Sequence, residues 1–139
     1  MNYLLDTCVI SELVKIEPDK QVAEWINSVE EGQLYLSVVT IGELEKGISK
    51  LKPSKRKDKI TEWLHNDLIF RFNDRILNLD INTFIEWGRL NATLENQGKK
   101  MPSIDSLIAA TAIQYNLCLV TRNDRDFQNC NIQILNPWK

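Results

Sequence analysis

Met101-Pro102-Ser103-Ile104-Asp105-Ser106-Leu107-Ile108-Ala109-Ala110-Thr111-Ala112 reads as the start of a buried helix, and its neighbours decide the fold. Pro102 ends what precedes it, and Ser103 stands where an N-cap is expected. Ile104, Leu107, Ile108, Thr111, Ala112 and Tyr115 recur at helical spacing. Ala109, Ala110 and Ala112 are small enough to let this helix approach a sheet closely. Asp105 falls in its first turn, where unpaired N–H groups and the helix dipole favour an anion. It is either a helix-start acid or a ligand, and the choice turns on whether other acids converge with it.

Downstream, Leu117 to Thr121 reads as a buried strand followed by Arg122-Asn123-Asp124-Arg125-Asp126-Phe127, whose Asn and Asp are turn formers or site groups. Ile132 to Leu135 is a last strand, closed by Asn136-Pro137-Trp138. Upstream, Gly98-Lys99-Lys100 is a basic link, preceded by a long helix over Ile81 to Gln97 and a strand over Ile76 to Asp80. Pro53 and Ser54 open a helix with Ile60, Trp63, Leu64, Leu68 and Ile69 on one face. Lys50 to Lys59 carries a single acid, Asp58, and reads as a solvated face or a contact for a polyanion.

Leu34 to Val39 is a strand running into Thr40-Ile41-Gly42-Glu43. Thr40 and Glu43 have capping-box spacing, so Glu43 either reaches back to the N-cap amide or serves a site at the strand-to-helix junction. Gly47, one turn on, costs roughly 1 kcal/mol against Ala, which is easier to accept where open space beside Glu43 is needed. Asp19 caps a helix with Val22, Trp25, Ile26 and Val29 inward, and Glu30-Glu31-Gly32 closes it. At the start, Tyr3-Leu4-Leu5 is a short strand ending in Asp6, with Thr7 as the expected cap of a helix through Val9, Ile10, Leu13 and Val14. Asp6 is either turn chemistry or a binding group at a strand's carboxyl end.

Strands alternate with helices along the whole chain. That order specifies an α/β domain over residues 1–139, a parallel sheet of four to five strands with helices on both faces. The strand carboxyl ends then share one edge, which gathers Asp6, Glu43 and the 123–126 group, and Asp105 can join them. Close carboxylates resist joint ionisation unless a cation relieves them. An all-oxygen donor set suits Mg²⁺ or Mn²⁺.

Composition narrows the alternatives. At 139 residues, 43% hydrophobic and 26% charged, the chain matches a soluble globular domain. It contains no apolar run long enough to span a membrane and no signal-peptide pattern at Met1 to Asp6. The cysteines Cys8, Cys118 and Cys130 form neither a metal-type pair nor a disulfide framework, and His65 is the only histidine, which argues against zinc and for a reducing cytoplasm. A net charge of −2 gives no global case for nucleic-acid binding, so any basic contact must be local.

Taken together, these pieces resemble PIN-domain endoribonucleases, most closely the VapC/FitB-type toxins of bacterial toxin–antitoxin pairs. The matching segments are Leu4-Leu5-Asp6-Thr7 with Val9-Ile10-Ser11-Glu12, Leu36-Ser37 leading to Gly42-Glu43-Leu44 and Gly47, Arg75-Ile76-Leu77 with Asp80, Asp105 with Ile108 to Ala112, Thr121-Arg122-Asn123 with Asp126-Phe127, and Asn136-Pro137-Trp138. The resemblance implies a nuclease site of Asp6, Glu43 and Asp105, completed after the fourth strand by Asp126 with Asn123 as its orienting neighbour; Asn123 and Asp124 are the alternatives for that place. Asp6 and Asp105 would hold the metal, with Thr7 and Thr121 in support and Lys99, Lys100 and Arg122 on RNA phosphates. Many relatives have Asn where this chain has Cys8, a departure that touches local hydrogen bonding. The expected activity is Mg²⁺-dependent hydrolysis of RNA, tRNA being one candidate, with a cognate antitoxin and a homodimer as partners. Two other readings compete: a catalytically weak nucleic-acid-binding module within an antitoxin–DNA repressor complex, and a receiver- or phosphatase-type phosphoryl-transfer domain. Asp6-Thr7-Cys8 lacks the Asp-x-Asp of such phosphatases, and the receiver's acidic pair is missing.

Overall fold

The computed structural model describes all residues, Met1–Lys139. Five strands, β1 (Tyr3–Leu5), β2 (Leu34–Ser37), β3 (Ile76–Leu77), β4 (Cys118–Val120) and β5 (Ile134–Leu135), form one sheet in the order β3-β2-β1-β4-β5. Every pairing is parallel, as the alternating element order requires. The chain builds outward from β1 through β2 to β3, then returns to add β4 and β5 on the other side. The reversal leaves a crevice at the carboxyl ends of β1 and β4, the place where open α/β sheets bind ligands.

Strand alternation divides the core in two. Leu5, Leu34, Leu36 and Val120 face one way, against α1 (Thr7–Leu13), α2 (Lys20–Ser28) and α3 (Val38–Ser49). Leu4 and Leu119 face the other way, against α6 (Ile81–Asn96) and α7 (Ser103–Tyr115). Between the two groups of helices the chain runs through α4 (Lys55–Glu62), a π-helical stretch Trp63–Leu68 and the one-turn α5 (Ile69–Arg71). A short α8 (Asp124–Phe127) follows β4. No helix is long and apolar enough to cross a membrane.

Element boundaries depart from the sequence expectations in instructive ways. The strands are shorter than the apolar runs: the third stops at Leu77 rather than Asp80, and the last begins at Ile134 rather than Ile132. Asp80 instead caps α6 in a reciprocal capping box with Thr83. The second strand ends at Ser37, whose hydroxyl accepts from the Val39 N–H at 3.1 Å and caps α3. Thr40 and Glu43 therefore lie inside that helix and form no capping box. Asp6, not Thr7, caps α1, its Oδ1 accepting from the Thr7 N–H at 2.8 Å. Pro102, not Ser103, occupies the N-cap of α7, and Ser103 is its first helical residue. The 30–32 segment leads into a 3₁₀ turn, Glu31–Gln33, rather than closing α2, which ends at Ser28. Helix α7 buries Ser106 and Ile108 through Ala112, while Ile104 and Tyr115 are exposed, so its inward face is rotated from the expected stripe. The indole N–H of Trp87 donates to Ser106 Oγ at 2.9 Å and fixes α7 against α6.

Candidate active site

Register decides where the site begins. β1 and β4 pair Leu4 with Leu119 and Leu5 with Val120, so Asp6 and Thr121 emerge side by side at the crevice. The Asp6 N–H donates to the Val120 carbonyl at 2.9 Å, holding the acid at the strand's end. Its side chain is buried, yet Oδ1 is spent on capping α1 and Oδ2 accepts from the Thr121 hydroxyl at 2.8 Å. A carboxylate has about four lone-pair sites, so acceptor capacity remains for a further ligand. The Thr121 oxygen in turn accepts the Asn123 N–H at 3.0 Å, which shapes the turn into α8.

Cys8 completes this layer. Its thiol lies 3.7 Å from Asp6 Oδ2 and donates to it, and its sulfur accepts the Arg122 N–H at 3.4 Å. Burial, and then the Asp6 charge, push the thiol's pKa up, so it stays protonated. The thiol thus joins the carboxylate to the turn after β4.

Glu43 enters from the neighbouring strand-to-helix unit. Held on α3, it accepts a 2.5 Å hydrogen bond from the Thr7 hydroxyl, which also lies 3.3 Å from Thr40 Oγ1. This cross-link between α1 and α3 aims Glu43 at the crevice. Asp105 stands in the first turn of α7. Its pKa is raised, first by burial and then by the charges of Asp6, Asp126 and Glu43. Those causes identify its neighbours: three acids, each from a separate segment, bring their charge to bear on Asp105.

None of these four acids takes part in any of the molecule's ion pairs. Asp124, next to them in sequence, is paired with Lys139 at 2.9 Å, and this contact lowers its pKa. Asp126, on the exposed side of α8, is left as the acid whose charge reaches Asp105. Asn123 sits at the N-cap of α8, but its side chain makes no capping bond; its carbonyl accepts the Asp126 N–H at 3.0 Å, so it orients that acid through the backbone. The carboxylates ring the crevice without three of them closing into a ready-made ion cage. Their donor set is nonetheless all oxygen, shielded on one side and uncompensated by any cation, which fits a hard divalent ion.

The basic candidates are distributed unevenly. Arg122 borders the crevice, its guanidinium 5.5 Å over the Trp138 ring and its carbonyl accepting from Asn136 Nδ2 at 3.1 Å. Lys99 and Lys100 are exposed on the loop leading to α7, in no ion pair. The contribution of the C-terminal segment to the turn after β4 was not legible in advance, because it depends on β5 returning the chain beside β4.

A parallel α/β sheet with acids unpaired by any basic side chain at its switch point defines a class of α/β domains whose ligand crevice suits a cation. Residues 3–132 match the PIN domain model. The chain is 34% identical over 136 residues to the VapC ribonuclease Y4jK of Sinorhizobium fredii, covering 98% of this chain and 97% of the relative. It is 33% identical to Toxin FitB of Neisseria gonorrhoeae, with 97% of each chain covered. Its structure matches a crystal structure of FitAcB from Neisseria gonorrhoeae with a TM-score of 0.93, 33% identity and 98% coverage of both chains. The chain therefore belongs to the PIN-domain family, in its branch of VapC- and FitB-type toxins.

Proposed function

We propose that this protein is a metal-dependent endoribonuclease, the toxin of a toxin–antitoxin pair, with Asp6, Glu43, Asp105 and Asp126 as its catalytic acids. One observation carries the reading. Four acids from separate segments share a crevice with no countercharge, while the adjacent Asp124 has one. An arrangement maintained against its own repulsion is most simply explained by a cation.

Asp6 and Asp105 would hold Mg²⁺ or Mn²⁺, with Glu43 and Asp126 at its periphery. When bound, such an ion supplies neutralisation of the phosphoryl oxygens and a lowered pKa for the attacking water. The remaining work belongs to the chain. Thr121 and Cys8 fix the Asp6 carboxylate. Thr7 fixes Glu43, whose second oxygen is free to accept a proton from a water lying over the crevice. Arg122, Lys99 and Lys100 supply positive charge toward a phosphate backbone that the acids alone would repel.

The partners follow from the toxin reading: an RNA substrate, an antitoxin that covers the crevice, and a second copy of the chain. The test is purified protein on total RNA. Cleavage should occur with Mg²⁺, disappear with chelator, and fall by at least about a hundredfold in Asp6→Asn and in Asp105→Asn with the fold intact by circular dichroism. Cleavage that survives chelation or both substitutions would overturn the assignment.

A further inference from the structure

A groove of about 510 Å³, with Glu43 among its lining residues, runs between α3, the start of α7 and the segment after β3. The α3 side contributes Val39, Lys46 and Lys50, and the other sides are apolar, Leu79 from the segment after β3 with Ile104 and Leu107 from α7. Neither lysine is in an ion pair. The basic run Lys52, Lys55, Arg56, Lys57 and Lys59 continues from Lys50 along the chain.

The floor of the groove includes Gly42 and Gly47, both within the helical span of α3. Neither has a positive φ, and a Cβ built at either would meet nothing within 4 Å. Backbone conformation and packing therefore explain neither glycine, although each weakens the helix by about 1 kcal/mol relative to Ala. What a side chain at these positions would do is fill the groove.

Resting on the ribonuclease reading above, we propose that this groove is a substrate subsite. It takes a nucleotide of single-stranded RNA flanking the scissile phosphate, the base against the Ile104–Leu107 wall and the backbone phosphates on Lys46 and Lys50. Its volume lies within the range of about 300–1,000 Å³ usual for small-molecule pockets. Charge selects the occupant: Lys46 and Lys50, against the single carboxylate Glu43, lead into a basic run and suit a polyanion.

The experiment measures anisotropy of a fluorescent twelve-nucleotide single-stranded RNA, in an Asp6→Asn background with Mg²⁺, across a salt series. Lys46→Gln/Lys50→Gln should weaken binding about tenfold and reduce the slope of log K against log salt by roughly 1.4, two phosphates at about 0.7 each. Gly47→Leu should weaken binding while raising the melting temperature by about 3 °C, since it fills open space on a helix. A loss of binding with a raised melting temperature cannot be ascribed to unfolding. Unchanged affinity and slope in both variants would overturn the subsite. So would a Gly47→Leu protein that changes mass by light scattering, or loses an antitoxin, while binding RNA normally; the groove would then belong to a protein partner. The parent reading is scored separately, on wild-type cleavage. Cleavage intact with groove variants indistinguishable from wild type removes the subsite alone. Lysine-dependent binding without any wild-type cleavage supports the subsite and removes the nuclease.

Discussion

Glu43 has two chemistries open to it, and its surroundings separate them. A residue that merely joined α1 to α3 would need only an acceptor for the Thr7 hydroxyl. Gln supplies that acceptor without the charge. Glu43→Gln is therefore expected to leave the melting temperature within about 2 °C of wild type, a change of no more than about 0.5 kcal/mol. Turnover on RNA should fall about a hundredfold, as when a positioned electrostatic group is lost. Parallel melting curves and single-turnover assays decide the matter, and unchanged turnover would assign Glu43 a purely structural role. Cys8 poses the opposite question, since a thiol beside a proposed catalytic acid invites a nucleophilic reading. Burial and the Asp6 charge both oppose the thiolate. The expected behaviour is slow alkylation by iodoacetamide at pH 7.5 relative to a free thiol. Cys8→Ser, which keeps a donor and an acceptor, should retain most activity, whereas Cys8→Val should lose at least about tenfold by detaching the Arg122 N–H from the Asp6 layer. Rapid alkylation, or a fully active Val variant, would show that the contact does not position Asp6.

Elements rather than residues explain what the sequence reveals and what it conceals. The apolar runs at Leu4, Leu36 and Leu119 announce buried parallel strands, because such strands are covered on both faces and need no alternation. The positions of Asp6 and Asp105 in the fold were legible for the same reason: each sits where a buried element starts or stops. The cap of α3 was not. Thr40 and Glu43 have the spacing of a capping box, but Ser37, two residues after Tyr35, ends pairing earlier and takes the cap itself. The misreading is local, since only the sheet register decides which of several polar residues meets the first free N–H groups. Ser37→Ala should accordingly destabilise the fold by about 1 kcal/mol, or about 3 °C in melting temperature, whereas Thr40→Ser, which keeps the buried hydroxyl, should not affect the cap. Equal melting of Ser37→Ala and wild type would remove the capping assignment. At the opposite end of the sheet, Glu31 receives Arg71 Nε at 2.9 Å and Arg75 Nη2 at 2.8 Å, and both guanidinium groups lie over the Phe72 ring. The Arg71 hydrogen bond leads the causes that depress Glu31 from 4.5 to about 2. Since the folded value lies below the unfolded one, the cluster's contribution is complete above about pH 4.5 and is lost as pH falls toward about 2. Glu31 is half exposed, so water screens the contribution and it remains modest. Glu31→Gln should melt below wild type at pH 7, and the gap should close on acidification through that window. A gap independent of pH would mean that the carboxylate's charge is not what holds α5 to the 3₁₀ turn before β2.

The whole molecule sets unneutralised acids at the sheet's switch point beside exposed cations at its margins, so it can be silenced by anything that brings a cation to the acids and covers the margins. An antitoxin segment would do both. Binding to the folded toxin but not to the unfolded chain stabilises by mass action, about 2.7 kcal/mol at a hundredfold excess over Kd. For a chain of this length that corresponds to about 9 °C in melting temperature. Co-expression with the antitoxin should raise yield, block cleavage and relieve growth arrest together. The control that separates chemistry from binding is Asp6→Asn expressed alone. Its backbone contact to Val120 and its cap on α1 survive as an amide, so the fold should persist while the charge is lost. The melting temperature is read first, and removing one of several mutually repelling charges should leave it unchanged or higher. Growth should then proceed normally, and the antitoxin should still bind. Growth arrest persisting in protein shown to be folded and nuclease-dead would mean that the damage does not come from RNA cleavage, and the reading as a binding module within a repressor complex would take its place.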